Sequence, residues 1–163
     1  MNLVVPRVHQ KIEIPVGMHP LVVTVGDIAR QAHGAAMIQH EETVVIATAC
    51  MEVDSERGED FIPLICDYRE NTYAAGKFPG GFIKREGKPS EKEILTSRLI
   101  DRSVRPLFPK GYRFDTQVIV SVYSASQVYD PDVAALNAAT MALLFSPIPF
   151  YEAVVGIRVA EVD

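Results

Sequence analysis

The segment DVAALNAATMALLF (132–145) is apolar almost all the way round a helical wheel, and a helix with no polar face has to be enclosed by other elements. Asp130 is placed to cap its start, and Pro131 fits the first helical position, where a missing N–H costs nothing. SPIP (146–149) ends it. Any fold for this chain must therefore wrap this helix in a sheet or in further helices. With 163 residues, 48% of them hydrophobic, there is material for one such core and the size suits one domain. Charged residues make up 23%, and no internal repeat or low-complexity run is present, so a folded chain is expected.

The strands that could enclose the helix are legible as β-branched and small apolar runs. LVVTVG (21–26), AAMIQ (35–39) and TVVIATACM (43–51) are three, the last two separated by His40-Glu41-Glu42 in the manner of a hairpin. An acidic loop, DSERGED (54–60), leads into FIPLICDY (61–68), an apolar run of strand length. QVIVSVYSA (117–125) alternates like a strand, and AVVGIRVAEV (153–162) reads as another running into the chain end, which suggests a truncated domain. The expected architecture is α+β, a mixed sheet packed by two helices. Cys50 and Cys66 lie in strand-like stretches and read as reduced, buried small hydrophobes. The first residues lack a signal-peptide pattern, and no run approaches a membrane span, so a cytoplasmic location without membrane contact is expected.

Between the strand runs the texture changes. NTYAAGKFPGGFIKREGKPS (71–90) holds four glycines and two prolines, which resist both helix and ladder pairing, so it reads as a long loop. Long loops in compact domains are often functional. Ser90 and Glu93 match a capping box, predicting a helix from about Glu91 to Arg105, stopped by Pro106. The net charge is −5, yet Lys77 to Arg113 carries ten basic and four acidic residues while the remainder carries six and seventeen. A positive segment of +6 in a chain otherwise at −11 suits a polyanion; a merely solvated face is the alternative.

Within that segment Arg98, Arg102 and Arg105 fall within about 60° of one another on a helix, with Ile100, Val104 and Leu107 opposite. Guanidinium forks match phosphate oxygens bidentately, so the stripe is a candidate for RNA phosphates; pairing with Asp101 or Glu70 is the alternative. In the loop, Phe82 and Ile83 stand beside Lys84 and Arg85, with Lys77, Phe78 and Lys88 close by. Aromatic faces stack bases and cations follow the backbone, a combination suited to single-stranded nucleic acid. Anchoring of Phe78 and Phe82 in the core is the alternative.

DYRENTYAAGKFPGGFIKREGKPSEKEILTSRLIDRSVRPLFPKGY (67–112) closely resembles the polynucleotide phosphorylase family in its first ribonuclease-PH-like core domain. The likeness extends more loosely from VTVGDIARQAHGAAMI to DPDVAALNAATMAL and SPIPF. The resemblance implies a ribonuclease-PH-like fold (ribosomal protein S5 domain 2-like), with residues 1–163 forming that first core domain, incomplete at its C-terminal end. It also implies a phosphorolytic 3′-to-5′ exoribonuclease that uses inorganic phosphate and Mg2+, forms a homotrimer, acts on single-stranded RNA in mRNA turnover and not on DNA. On the same resemblance Phe82, Ile83, Lys84 and Arg85 occupy the loop that constricts the RNA channel. The family form there is usually Phe-Phe-Arg-Arg, so Ile83 lacks one stacking face and Lys84 one bidentate fork.

A phosphorolytic centre needs small hydroxylic residues at a helix N-terminus to cradle phosphate. YDPDVAALNAAT (129–140) offers Asp130 and Asp132 instead, which repel it. No complete catalytic site and no bound cofactor are expected in these residues. His33 and His40 lack metal-ligand spacing, and Glu56, Glu59 and Asp60 read as a solvated acidic run. The two rival readings are a self-contained ribonuclease-PH-like enzyme and an assembly module whose basic stripe meets an acidic partner.

Overall fold

The computed structural model describes residues 9–56 and 61–161. Six strands form one sheet in the order β1-β2-β3-β4-β6-β5: β1 (Gln10–Val16), β2 (His19–Val25), β3 (Gly34–His40), β4 (Thr43–Glu56), β5 (Leu64–Arg69) and β6 (Phe114–Ser124). All neighbours are antiparallel except β5 and β6, which run parallel, so the sheet is mixed as expected. Two helices complete the fold, α1 (Glu91–Val104) and α2 (Pro131–Leu144). Two-residue turns close the first hairpins: Gly17 turns β1 into β2 at φ 62°, and Glu41 turns β3 into β4 at φ 54°.

The apolar helix is enclosed as its composition demands. Ala135, Ala138, Ala139, Ala142 and Leu143 are fully buried, facing Ile38, Val45, Ala47, Val118, Val120 and Val122 in one core. Small side chains let the helix sit close to the sheet, and at Gly34 the approach is closest: a Cβ there would lie 2.0 Å from the carbonyl oxygen of Ala142. α1 packs on β5 at the sheet edge and touches α2. In β6 Thr116, Val118, Val120 and Val122 are buried while Gln117, Ile119 and Tyr123 are exposed, so the opposite face of this part of the sheet is open.

Four expectations change. AVVGIRVAEV forms no strand over its described residues; the Asn137 side chain of α2 instead donates to the Gly156 carbonyl (3.2 Å) and accepts from the Gly156 N–H (2.7 Å). Alternation alone could not supply a neighbouring strand, and the side chains of Val155, Ile157 and Val159 are exposed. Strand β1 was not legible because Pro15 breaks its run; it is an edge strand with every residue exposed, a position where proline needs no ladder donor. Cys50 is exposed on the open sheet face, not buried, while Cys66 is half-buried and burial pushes its thiol up to about 12. Asp130 sits at the N-cap of α2 without bonding the helix amides. Residues 57–60 and 162–163, including Glu59 and Asp60 of the acidic run, lie outside the described residues, as do residues 1–8.

Candidate nucleic-acid interface

The loop between β5 and α1 begins with a short 3-10 turn, Thr72–Ala75, that Gly76 ends at φ 65°. The turn is tied to the end of β6 by the Ala125 N–H donating to the Ala74 carbonyl (3.1 Å). Its outgoing arm is held twice at Thr72, which accepts from the Lys77 N–H (3.1 Å) and donates through both its N–H and its hydroxyl to one Glu86 oxygen (2.8 Å each). Glu86 thus clamps both ends of the basic stretch together and leaves residues 77–85 projecting between them. Phe82 is 101% exposed, Phe78 90% and Ile83 72%, so neither phenylalanine anchors the core. Lys84 stands at φ 54°, a left-handed conformation that favours glycine over a long side chain. Lys77, Lys84, Arg85 and Lys88 are exposed, and no ion pair or side-chain hydrogen bond among the described residues engages them.

Fully solvated aromatic rings beside unpaired cations are unfavourable on the side of the rings, since apolar rings gain by leaving water. The same arrangement suits a ligand that brings both phosphates and bases.

The arginine stripe divides. Arg98 and Arg102 are exposed on the outer face of α1 and have no partner among the described residues. Arg105, by contrast, grips Asp101 with Nε (2.9 Å) and Nη2 (2.6 Å) and donates to the carbonyls of Ile62 (2.8 Å) and Leu64 (3.0 Å). Its guanidinium also lies over the Phe61 ring at 5.7 Å. The hydrogen bonds with Asp101 hold its pKa above the usual arginine value. Four of its five donors are taken, so Arg105 is a structural residue here, the outcome in which the stripe pairs with Asp101.

The reason for that pairing is the unpartnered edge of β5. Three side chains of the α1 region replace a strand along it: Arg105 on the Leu64 carbonyl, Ser97 Oγ accepting from the Tyr68 N–H (3.0 Å), and Glu93 accepting from the Glu70 N–H (2.9 Å). Glu93 is buried, and its second oxygen accepts from the Ser90 N–H (2.6 Å), completing the capping box with the Ser90 hydroxyl on the Glu93 N–H. Burial pushes the Glu93 pKa up, but the Ser90 and Glu70 amides outweigh it and hold the carboxyl below the usual glutamate range.

The start of α2 does not fit an inorganic phosphate. Asp130 pairs with Lys92 (2.9 Å) and Arg158 (3.5 Å), and Asp132 with Arg158 (2.5 Å) and the Val133 N–H (2.7 Å). Lys92 also pairs with Glu70 (3.0 Å), which accepts from the buried Tyr68 hydroxyl (2.5 Å). Burial alone raises Asp130, but Lys92 and Arg158 overcome it and keep the carboxyl below its ordinary range. Carboxylates fill the place where an anion would sit, and the helix N-terminal charge is answered internally. Among the described residues no three His, Cys, Asp or Glu side chains gather as metal ligands. His33 accepts from the Met51 N–H (3.0 Å) and the His40 ring packs tilted against Tyr129 (centroids 4.2 Å apart), both structural contacts.

Sequence reasoning missed two tyrosines. Tyr73 and Tyr123 stand half-exposed at the root of the loop with ring centroids 6.2 Å apart, edge to face. Their signal was only their type, since they lie fifty positions apart and on different elements.

A mixed sheet covered by two helices on one side, with this loop and helix at its edge, is the ribonuclease-PH-like fold. The 3′ exoribonuclease family, domain 1, matches residues 17–149, and the chain belongs to that family. More particularly, it is similar to polyribonucleotide nucleotidyltransferases. It is 56% identical over 138 residues to that of Koribacter versatilis (strain Ellin345), covering 85% of this chain and 17% of the relative. It is 49% identical over 151 residues to polyribonucleotide nucleotidyltransferase 3 of Alkaliphilus metalliredigens (strain QYMF), covering 93% and 22%. The chain thus spans about a fifth of the length of these relatives. Among solved structures, the Archaeoglobus fulgidus exosome with RNA bound to the active site superposes with TM-score 0.60 at 19% identity, over 77% of this chain and 51% of that one. Rice (Oryza sativa) Rrp46 superposes with TM-score 0.56 at 18% identity, over 91% and 60%; both likenesses concern the fold. No helix among the described residues is long and apolar enough to cross a membrane.

Proposed function

We propose that this chain is the RNA-gripping part of a phosphorolytic 3′-to-5′ exoribonuclease. The observation that carries this reading is the projecting loop, where Phe78, Phe82 and Ile83 stand in solvent beside Lys77, Lys84, Arg85 and Lys88 without counter-ions among the described residues. Single-stranded RNA satisfies both halves: phosphates answer the cations and bases cover the rings. Arg98 and Arg102 extend the positive surface along α1. Membership of the 3′ exoribonuclease family and similarity to polyribonucleotide nucleotidyltransferases support the reaction class, in which inorganic phosphate attacks the terminal phosphodiester and a nucleoside diphosphate leaves. In this reading the phosphate cradle and the Mg2+ that the reaction uses belong to a part of the enzyme beyond these residues, and the whole enzyme is a cytoplasmic homotrimer that degrades mRNA and does not take DNA.

The purified chain should bind single-stranded RNA with an affinity that falls steeply as salt rises. Incubated with poly(A), phosphate and magnesium it should release no ADP. Release of ADP would establish the rival of a self-contained exoribonuclease, and salt-insensitive binding would end the RNA-gripping reading.

A second reading is favoured by one observation on α1. Its outer face carries Ile94, Leu95 and Leu99, all exposed, interleaved with Arg98 and Arg102. Aliphatic side chains contribute nothing to a phosphate rail, whereas aliphatics with arginine are common at subunit contacts. If Arg98→Ala and Arg102→Ala leave RNA affinity unchanged, this face is an assembly surface and the RNA site is confined to the loop.

A further inference from the structure

We infer that Tyr73 and Tyr123 form a nucleobase-stacking platform on the open face of the sheet, at the root of the basic loop. The inference rests on the RNA-gripping reading above and adds a binding site to it.

Both rings are held by rigid elements. Tyr123 lies near the end of β6, with its neighbours Val122 and Val120 fully buried on the opposite face. Tyr73 lies in the 3-10 turn that the Ala74 carbonyl ties to Ala125, two residues beyond Tyr123. Its hydroxyl accepts from the Asn71 amide (3.4 Å). The edge-to-face contact at 6.2 Å fixes the rings against each other, and each is about half exposed, at 51% and 53%. In that geometry the two rings cannot cover one another, so ring face is left to solvent. Edge-to-face is a preferred geometry for an aromatic pair, so the rings hold each other in place while part of their surface stays open to a third partner.

Position decides what could cover them. Thr72, next to Tyr73, binds both Lys77 and Glu86, so the cationic stretch leaves and re-enters the fold beside the pair. A strand whose phosphates follow Lys77, Lys84, Arg85 and Lys88 passes the rings within its own length. Stacking on a ring needs no particular base. The loop phenylalanines differ in kind: they project almost fully exposed from a glycine-rich arm. The tyrosines are pre-positioned, so they serve as the stationary step against which a base rests.

The test uses the 163-residue chain and two oligomers of equal length and charge, oligo(A) and an abasic ribose-phosphate strand. The chain has six tyrosines and no tryptophan, so a tyrosine fluorescence change on binding that is lost in the leucine pair below reports stacking at Tyr73 and Tyr123. Oligo(A) should bind tighter than the abasic strand and quench the fluorescence. Tyr73→Leu with Tyr123→Leu should weaken oligo(A) binding roughly tenfold and leave abasic binding unchanged; Tyr73→Phe with Tyr123→Phe should retain the affinity. Equal affinity of the unaltered chain for both strands overturns the platform, and this arm needs no variant to fold. Unchanged oligo(A) affinity in the leucine pair, together with weakened binding in Lys84→Gln with Arg85→Gln, overturns the platform but keeps the loop as the RNA grip. If neither pair alters binding, both readings fail. Equal weakening of both oligomers, or weakening by phenylalanine as large as by leucine, makes the tyrosines structural and removes the stacking role.

Discussion

Arginines of one type at helical spacing have opposite roles here, and what separates them is the distance to unpaired backbone. Arg105 reaches the carbonyls of Ile62 and Leu64 and is held there by Asp101; Arg98 and Arg102, two turns and one turn earlier on the outer face, have no partner among the described residues. Arg105→Ala should therefore lower stability by about 1–3 kcal/mol, since two carbonyls lose donors and Asp101 loses its partner. Arg98→Ala should leave the melting temperature within experimental scatter. A thermal melt of both variants checks this, and equal losses would mean that the stripe acts as one unit. Glu93 provides the pH counterpart. Its folded pKa is depressed, so its stabilising contribution is complete above the ordinary glutamate value and is lost as pH falls through the lower, folded value. Glu93→Gln, able to accept from only one of the two amides, should melt lower than the unaltered chain at neutral pH. The gap should close in that acid window; a gap constant with pH would show that the charge of Glu93 is not involved.

At the scale of elements, each exposed edge and close packing has a local solution. The β5 edge is sealed by side chains of α1, and residue 156 by the amide of Asn137, so helices supply the hydrogen bonds that missing strands would otherwise make. The contact between β3 and α2 depends on Gly34. A Cβ there would meet the Ala142 carbonyl at 2.0 Å and the Ser146 Cβ at 2.7 Å, and helix backbone does not yield as a flexible side chain does. Gly34→Ala should cost about 1–3 kcal/mol of stability through overpacking. Denaturant unfolding measures it, and a neutral result would place α2 farther from the sheet than described. The loop, in contrast, is anchored at its root, through Thr72, Glu86 and the bond from Ala125 to Ala74, so changes between residues 77 and 85 should spare the fold and act on binding.

For the whole molecule the decisive quantity is the separation of charge. An acidic chain that binds RNA must present its positive residues where the remaining carboxylates do not answer them, and the loop's clamp on Glu86 achieves this by turning that carboxylate toward Thr72. Replacing Lys84 and Arg85 with glutamine should lower the slope of log affinity against log salt by about 1.4, the value for two phosphate contacts on a single strand. An unchanged slope would mean that neither residue meets a phosphate.

Several elements followed from local chemistry that a sequence displays: the enclosed helix from its apolar circumference, α1 from Ser90 and Glu93, the loop from its glycines and prolines, the β3–β4 hairpin from two β-branched and small apolar runs about His40-Glu41-Glu42. The exposed phenylalanines and cations were also in view as residue types, though whether the rings faced the core or solvent was not. Tertiary structure alone decided which arginine is bound, because the carbonyls of Ile62 and Leu64 come to Arg105 from more than forty positions away. It likewise brought Tyr73 to Tyr123 and left the segment after Tyr151 without a strand beside it. Periodicity records how a stretch of backbone is wound, whereas a partner distant in the chain leaves no trace in the spacing of the residues it will meet.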